Sequence, residues 1–182
     1  MVNLWGWSAR AFQPHCISNA NILSHVVICD LENLFYLTRT HSYAFDISKL
    51  NSWLTALGVS ERLAIGSRIP ALEQWVPQFI ESGWEVRLVP NKRNFPDGKM
   101  RSNADAAICL EIGALIHDED VTDITIMTCD FALLVDVAWH IREIEELDIE
   151  LSVLAYPKFK SGMLPTDIKG VGRYTRLDAV LG

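Results

Sequence analysis

Basic residues are scarce in this chain, and so are paired cysteines and long hydrophobic runs. Its 182 residues contain 16 Lys and Arg against 23 Asp and Glu, which gives a formal net charge of −7 at pH 7. A protein that binds nucleic acid with a generally basic surface is therefore excluded. The longest apolar runs, at 25–29 and 112–116, fall far short of the ~18 residues of a membrane span. We therefore expect no membrane partner.

Cysteine and glycine motifs are also missing. Cys16, Cys29, Cys109 and Cys129 form no C-x-x-C pair, so the sequence predicts neither a zinc knuckle nor a disulfide framework. Residues 1–22 lack the features of a secretory signal, and we expect free thiols in a cytoplasmic protein. Neither G-x-G-x-x-G nor a P-loop motif follows any predicted strand, which disfavours a nucleotide-binding Rossmann domain.

Apolar stretches of strand length alternate with segments of helical spacing. A hydrophobic content of 49% excludes a disordered chain, and the alternation predicts an α/β domain with a mainly parallel sheet of five to six strands. We assign 1–22 to an N-terminal extension and 23–182 to a single domain. The predicted strands are 25–29, 62–66, 84–89, 123–128, 149–156 and 173–177, and the predicted helices are 31–38, 46–57, 71–82, 103–116 and 131–147. Asp46 is the candidate N-cap of the second helix and Gly58 its stop. Pro77 should either kink the third helix or open a shorter helix there.

Acidic side chains follow the predicted strands. Asp30 comes directly after the first strand and Asp130 shortly after the fourth, while Asp105 lies in the first turn of the helix after the third. Ligands of parallel sheets bind at the carboxyl ends of the strands, where loops and helix N-termini meet. Helix capping would explain Asp30 or Asp130 singly. Three gathered carboxylates favour a site for Mg²⁺ or Mn²⁺, with Asn33 adding an oxygen.

Two neighbouring acids are placed by helix geometry. Glu111 comes six residues after Asp105, about 120° around the helix. We therefore expect it to contact a metal ligand rather than the metal itself. Glu32 should point away from Asp30 if the chain is already helical there. We therefore expect Glu32, like Glu111, to contact a metal ligand rather than the metal itself.

At these residues the chain resembles the NYN domains, PIN-like metal-dependent ribonucleases related to the bacterial LabA-like group. VVICDLENLF resembles their opening Asp-x-x-Asn block, RSNADAAICLEI their second block, and ITIMTCDFALLV their third, Ser-Gly-Asp-x-Asp-Phe. The blocks occur in the family's order, and the similarity extends from about His25 to Leu177. The resemblance implies a PIN-like three-layer α/β/α sandwich. It also implies an endoribonuclease with Asp30, Asn33, Asp105 and Asp130 as catalytic residues, of which the three aspartates are metal ligands.

The chain departs from the family pattern at three places. Thr128 and Cys129 stand in place of the third block's Ser-Gly pair, and Ala132 occupies the position of its second Asp. Ser102-Asn103 replaces the usual Lys-Gly before the helix. The missing acid leaves open a degenerate NYN domain that binds RNA or a protein without cleavage. A HAD-like phosphatase fits less well, because Glu32 stands where that family has its second Asp.

The basic residues that do occur are concentrated in two predicted loops. Residues 91–101 contain four basic residues and one acidic residue, and 157–176 contain five and one, with Phe95, Phe159 and Tyr174 between them. Such loops could bind single-stranded RNA through phosphates and stacked bases. The proposed RNA-binding residues are Lys92, Arg93, Lys99, Arg101, Lys158, Lys160 and Arg173. The sequence leaves open whether the chain forms a homodimer.

Overall fold

The computed structural model describes residues 24–41, 45–90, 103–144, 149–155 and 168–181. Within these ranges a sheet of six parallel strands has the order β3-β2-β1-β4-β5-β6. The strands are β1 (Ser24–Asp30), β2 (Glu61–Ser67), β3 (Glu85–Val89), β4 (Val121–Met127), β5 (Glu150–Ala155) and β6 (Arg173–Arg176).

Helices cover both faces of the sheet. They are α1 (Leu31–His41), α2 (Ile47–Ala56), α3 (Pro70–Glu73), α4 (Val76–Glu81), α5 (Ala104–Leu115), α6 (Phe131–Trp139) and α7 (Leu177–Leu181). Val26 and Ile28 pack in one core with α5 and α6, whereas Val27 and Cys29 pack in a second core with α1 and α2. This alternation is that of a strand buried on both faces. The expected three-layer α/β/α sandwich is confirmed, and the sheet is wholly parallel.

The structure corrects several predicted boundaries. The segment 71–82 forms two short helices, and of the two alternatives for Pro77 the structure shows the shorter helix. Pro77 lies in the first turn of α4, where proline's missing N–H has no helical partner to lose. Trp84 precedes β3 instead of opening it, because its N–H donates to the Phe79 carbonyl. The helix predicted at 131–147 is α-helical only to Trp139.

A π-helix at His140–Ile144 follows α6, and residues 145–148 lie outside the described residues. Apolar periodicity reports which side chains face the core and not the hydrogen-bond register, so it could not separate the two helix types. At α2 the prediction is confirmed in detail: Asp46 caps the N-terminus through the N–H groups of Ser48 and Lys49. Gly58, at φ 78°, follows the helix end.

Candidate functional site

Asp30 is the last residue of β1 and lies at the carboxyl edge of the sheet. Its side chain is only 3% exposed. The Asn33 N–H donates to Oδ1 at 3.0 Å, and the Thr128 hydroxyl donates to Oδ2 at 2.9 Å. Because Thr128 directly follows β4, these two hydrogen bonds hold the carboxyl between the two central strands. Sequence reasoning missed Thr128, although a hydroxyl beside a strand-end acid could have indicated it.

Burial makes ionisation of Asp30 unfavourable. The pKa of this carboxyl is raised from 3.8 to about 7, chiefly by burial and in smaller part by the negative charges of Asp105 and Glu32. The hydrogen bonds from Asn33 and Thr128 act in the opposite direction. Asp30 is therefore close to half ionised at neutral pH, as is typical of carboxyl groups at functional sites.

Asp130 combines two roles that the sequence presented as alternatives. It is the N-cap of α6: its Oδ1 accepts hydrogen bonds from the N–H groups of Ala132 at 2.8 Å and Leu133 at 3.2 Å. Its charge also raises the pKa of Asp105. Capping and proximity to the other acids thus coexist in one side chain, and Oδ2 accepts no hydrogen bond from the described part of the chain.

Asp105 lies in the first turn of α5, on the same edge as the other two aspartates. Desolvation raises its pKa, and the charges of Asp130 and Glu32 raise it further. Asp105 in turn raises the pKa of Asp30. The structure therefore brings Asp30, Asp105 and Asp130 within electrostatic range of one another, from three distant parts of the chain.

Hydrogen bonds or ion pairs hold Asn33 and the two neighbouring acids, Glu32 and Glu111. Asn33 Oδ1 accepts from the Cys129 N–H at 3.1 Å, which ties α1 to the end of β4. Glu32 Oε1 accepts from the Ser67 N–H at 2.7 Å, yet its charge still acts on Asp30. Glu111 forms an ion pair with Arg87 of β3. Glu111 is not among the charges that raise the pKa of Asp30 or Asp105, which agrees with its expected position off their face of the helix.

The chemistry of this carboxylate set fits a divalent cation. The pKa values of Asp30 and Asp105 are both raised in part by neighbouring carboxylates. A bound cation would relieve that repulsion. Within the described ranges, however, no three Asp, Glu, His or Cys side chains stand close enough together to form a metal-binding group. Binding would therefore require Asp105 and Asp130 to turn toward Asp30.

Few of the predicted RNA-binding residues can be placed. Lys92, Arg93, Lys99, Arg101, Lys158 and Lys160 lie outside the described residues, as does the extension 1–22. Arg173 opens β6 and pairs with Glu150 at 3.4 Å. It is in register with Ser152, in the middle of the sheet rather than at its carboxyl end. Arg68, which sequence analysis missed, is exposed directly after β2 at that edge.

The strand order and the site together define a doubly wound α/β protein with carboxylates at its switch point. The strands β2 and β3 extend the sheet on one side of β1, and β4, β5 and β6 extend it on the other. The switch point therefore lies between β1 and β4, the position at which such sheets bind ligands. No family model matches the chain, and no curated protein matches it. Among solved structures, it is similar to a Vibrio parahaemolyticus protein of unknown function.

That similarity extends over most of both molecules. The alignment covers 90% of this chain and 98% of the Vibrio protein, with a TM-score of 0.68 and 19% sequence identity. At this identity the match supports the fold alone. None of the helices in the described ranges combines the length and apolar composition of a membrane span.

Proposed function

We propose that the protein is a metal-dependent endoribonuclease whose centre is formed by Asp30, Asp105 and Asp130, with Mg²⁺ or Mn²⁺ as cofactor. The observation that carries the proposal is that three carboxylates lie within electrostatic range of one another at the carboxyl edge of the sheet. Two of them have raised pKa values. A pair of structural caps would not require the third acid, Asp105, which caps no helix.

In this proposal the three aspartates would hold the cation, with Asp30 fixed by Asn33 and Thr128. When bound, a divalent cation supplies charge neutralisation at a phosphodiester oxygen and favours ionisation of an attacking water. The bound cation would also favour the ionised form of Asp30, whose pKa is about 7 without it. Arg68, exposed at the same edge, would contact the RNA backbone.

A cleavage assay with a labelled single-stranded RNA tests this function. We expect cleavage with Mg²⁺ or Mn²⁺, none in EDTA, and a loss of about 100-fold or more in Asp30→Asn, because a metal ligand is removed. Asp120→Asn is the matched control, since this exposed acid directly precedes β4 and therefore lies at the opposite edge of the parallel sheet. Cleavage that survives Asp30→Asn would rule out the proposed centre.

A degenerate domain that binds without cutting is the second candidate. It is favoured by Ala132 at the position of the missing acid and by the engagement of Asp130 Oδ1 in capping. RNA binding without turnover in either metal would support it. Phosphate release from a small phosphomonoester, dependent on Asp30, would instead indicate a phosphatase.

A further inference from the structure

A surface pocket lies in the helix layer on the other side of the sheet from α5 and α6. Its volume is about 300 Å³, and it is lined by Thr38, Arg39, Phe45, Trp75 and Gln78. Arg39 follows Asp30 by nine residues, about 13 Å along α1. The pocket is therefore separate from the carboxylates, and nothing in the proposed function uses it.

The apolar wall of the pocket is flat and rigid. The rings of Phe45 and Trp75 stack at 5.3 Å with an interplanar angle of 7°. Phe79, which is fully buried, lies parallel to both rings. Phe35 packs edge-on against Trp75. Because four rings fix one another, Phe45 and Trp75 present an aromatic surface that needs little reordering when a ligand binds.

The polar groups at this wall are a cation and an amide. The Arg39 guanidinium lies over the Phe35 ring at 5.4 Å from its centroid, and Arg39 and Gln78 are both exposed. No carboxylate in the described ranges forms an ion pair with Arg39. The Thr38 hydroxyl is already used, since it donates to the Phe35 carbonyl. The pocket thus offers one positive charge and one group that both donates and accepts hydrogen bonds.

These groups match the chemistry of a nucleotide. A base stacks on aromatic rings, a glutamine amide can pair with a base edge through two hydrogen bonds, and arginine binds phosphate in a bidentate manner. A volume of about 300 Å³ lies at the lower end of the range for small-ligand sites, which suits one nucleotide rather than a dinucleotide.

We propose that the pocket formed by Arg39, Phe45, Trp75 and Gln78 binds one nucleotide, with the base against the aromatic wall and the phosphate on Arg39. The nucleotide is either free or one unit of a single-stranded RNA. This inference does not rest on the proposed nuclease activity.

Calorimetric titration of the full chain with AMP and with adenosine tests the proposal. EDTA is present throughout, so that metal at the carboxylates cannot contribute. We expect AMP to bind, and Arg39→Gln to weaken its binding about tenfold, because a charge-assisted contact to phosphate is lost. Adenosine should bind more weakly than AMP and should not respond to Arg39→Gln. The matched control is Arg142→Gln, an exposed arginine on the opposite helix layer.

Two further comparisons locate the base and the source of the nucleotide. Gln78→Ala should weaken both ligands, whereas Gln74→Ala, an exposed glutamine outside the pocket, should weaken neither. Competition by a short single-stranded RNA would identify the RNA strand as the source, and its absence would identify the free nucleotide. No binding of AMP at millimolar concentration, or binding that is insensitive to both pocket variants, would overturn the proposal.

Discussion

At the scale of single residues, Asp30 is the most constrained group in the structure. Its carboxyl is 3% exposed and accepts hydrogen bonds from both Asn33 and Thr128. The negative charges of two further acids, Asp105 and Glu32, raise its pKa. A buried carboxylate among other carboxylates opposes folding when it is ionised, so a role outside stability is the simplest reason for its presence.

We predict that Asp30→Asn stabilises the protein at high pH. The pKa of this carboxyl is about 7 in the folded protein and close to 3.9 when unfolded. Between these values the folded state keeps a proton that the unfolded state releases, so stability falls as pH rises through this window and the loss is complete above pH 7. Removing the group should raise the unfolding free energy by up to about 4 kcal/mol at pH 8.

Urea denaturation at pH 4 and pH 8 measures this difference. At pH 4, where Asp30 is protonated in the folded protein, the variant and the natural protein should have nearly equal stability. Asp136→Asn removes an exposed carboxylate and should show no gain that grows with pH. An Asp30→Asn gain of the same size at both pH values would contradict the argument.

At the scale of elements, α6 begins at a residue with two roles. Asp130 accepts two hydrogen bonds from the first turn of the helix, and its charge also acts on Asp105. Sequence analysis could offer these roles only as competing explanations, because a cap is a local property whereas proximity to Asp105 depends on how α5 packs.

Two substitutions at Asp130 should separate these roles. Asp130→Asn keeps an oxygen that can cap the helix, so we expect stability within a few tenths of a kcal/mol and a loss of metal binding and cleavage. Asp130→Ala should lose the same activity and, in addition, about 1 kcal/mol of unfolding free energy. Denaturation and metal titration of both variants provide the measurement. Full activity in either variant would leave Asp130 with a structural role alone.

At the scale of the whole molecule, the three aspartates lie at positions 30, 105 and 130. They meet only because β1 and β4 are adjacent at the centre of the sheet while α5 crosses its face. A cation bound by all three would therefore link segments far apart in the chain, and binding would stabilise the fold as a unit.

We predict that Mg²⁺ or Mn²⁺ raises the thermal midpoint by several degrees. At a metal concentration 100 times the dissociation constant, the gain in unfolding free energy is about 2.7 kcal/mol. For a chain of this length, about 1 kcal/mol corresponds to 2–4 °C. Asp105→Asn should reduce the shift, and Asp120→Asn, at the opposite edge of the sheet, should not. An equal shift in both variants would show that the metal binds elsewhere.

The sequence by itself determined most of the elements and the layered α/β class. The stretch 25–29 identifies a strand because a strand buried on both faces must be almost continuously apolar. Asp46, Pro77 and Gly58 indicated their helix boundaries because capping, the missing proline N–H and positive φ are local effects. The strand-end position of Asp30 and Asp130 followed from the same local pattern.

Only the tertiary structure decided which side chains meet. The Thr128 hydroxyl reaches Asp30 across 98 residues, and the Glu111 carboxylate pairs with Arg87 on another element. Register between β1 and β4, and the packing of α5 on the sheet, produce these contacts. Likewise, the pKa of Asp30 depends on burial and on the charges of Asp105 and Glu32. Desolvation and Coulomb interactions depend on distances in space, which a linear pattern does not contain.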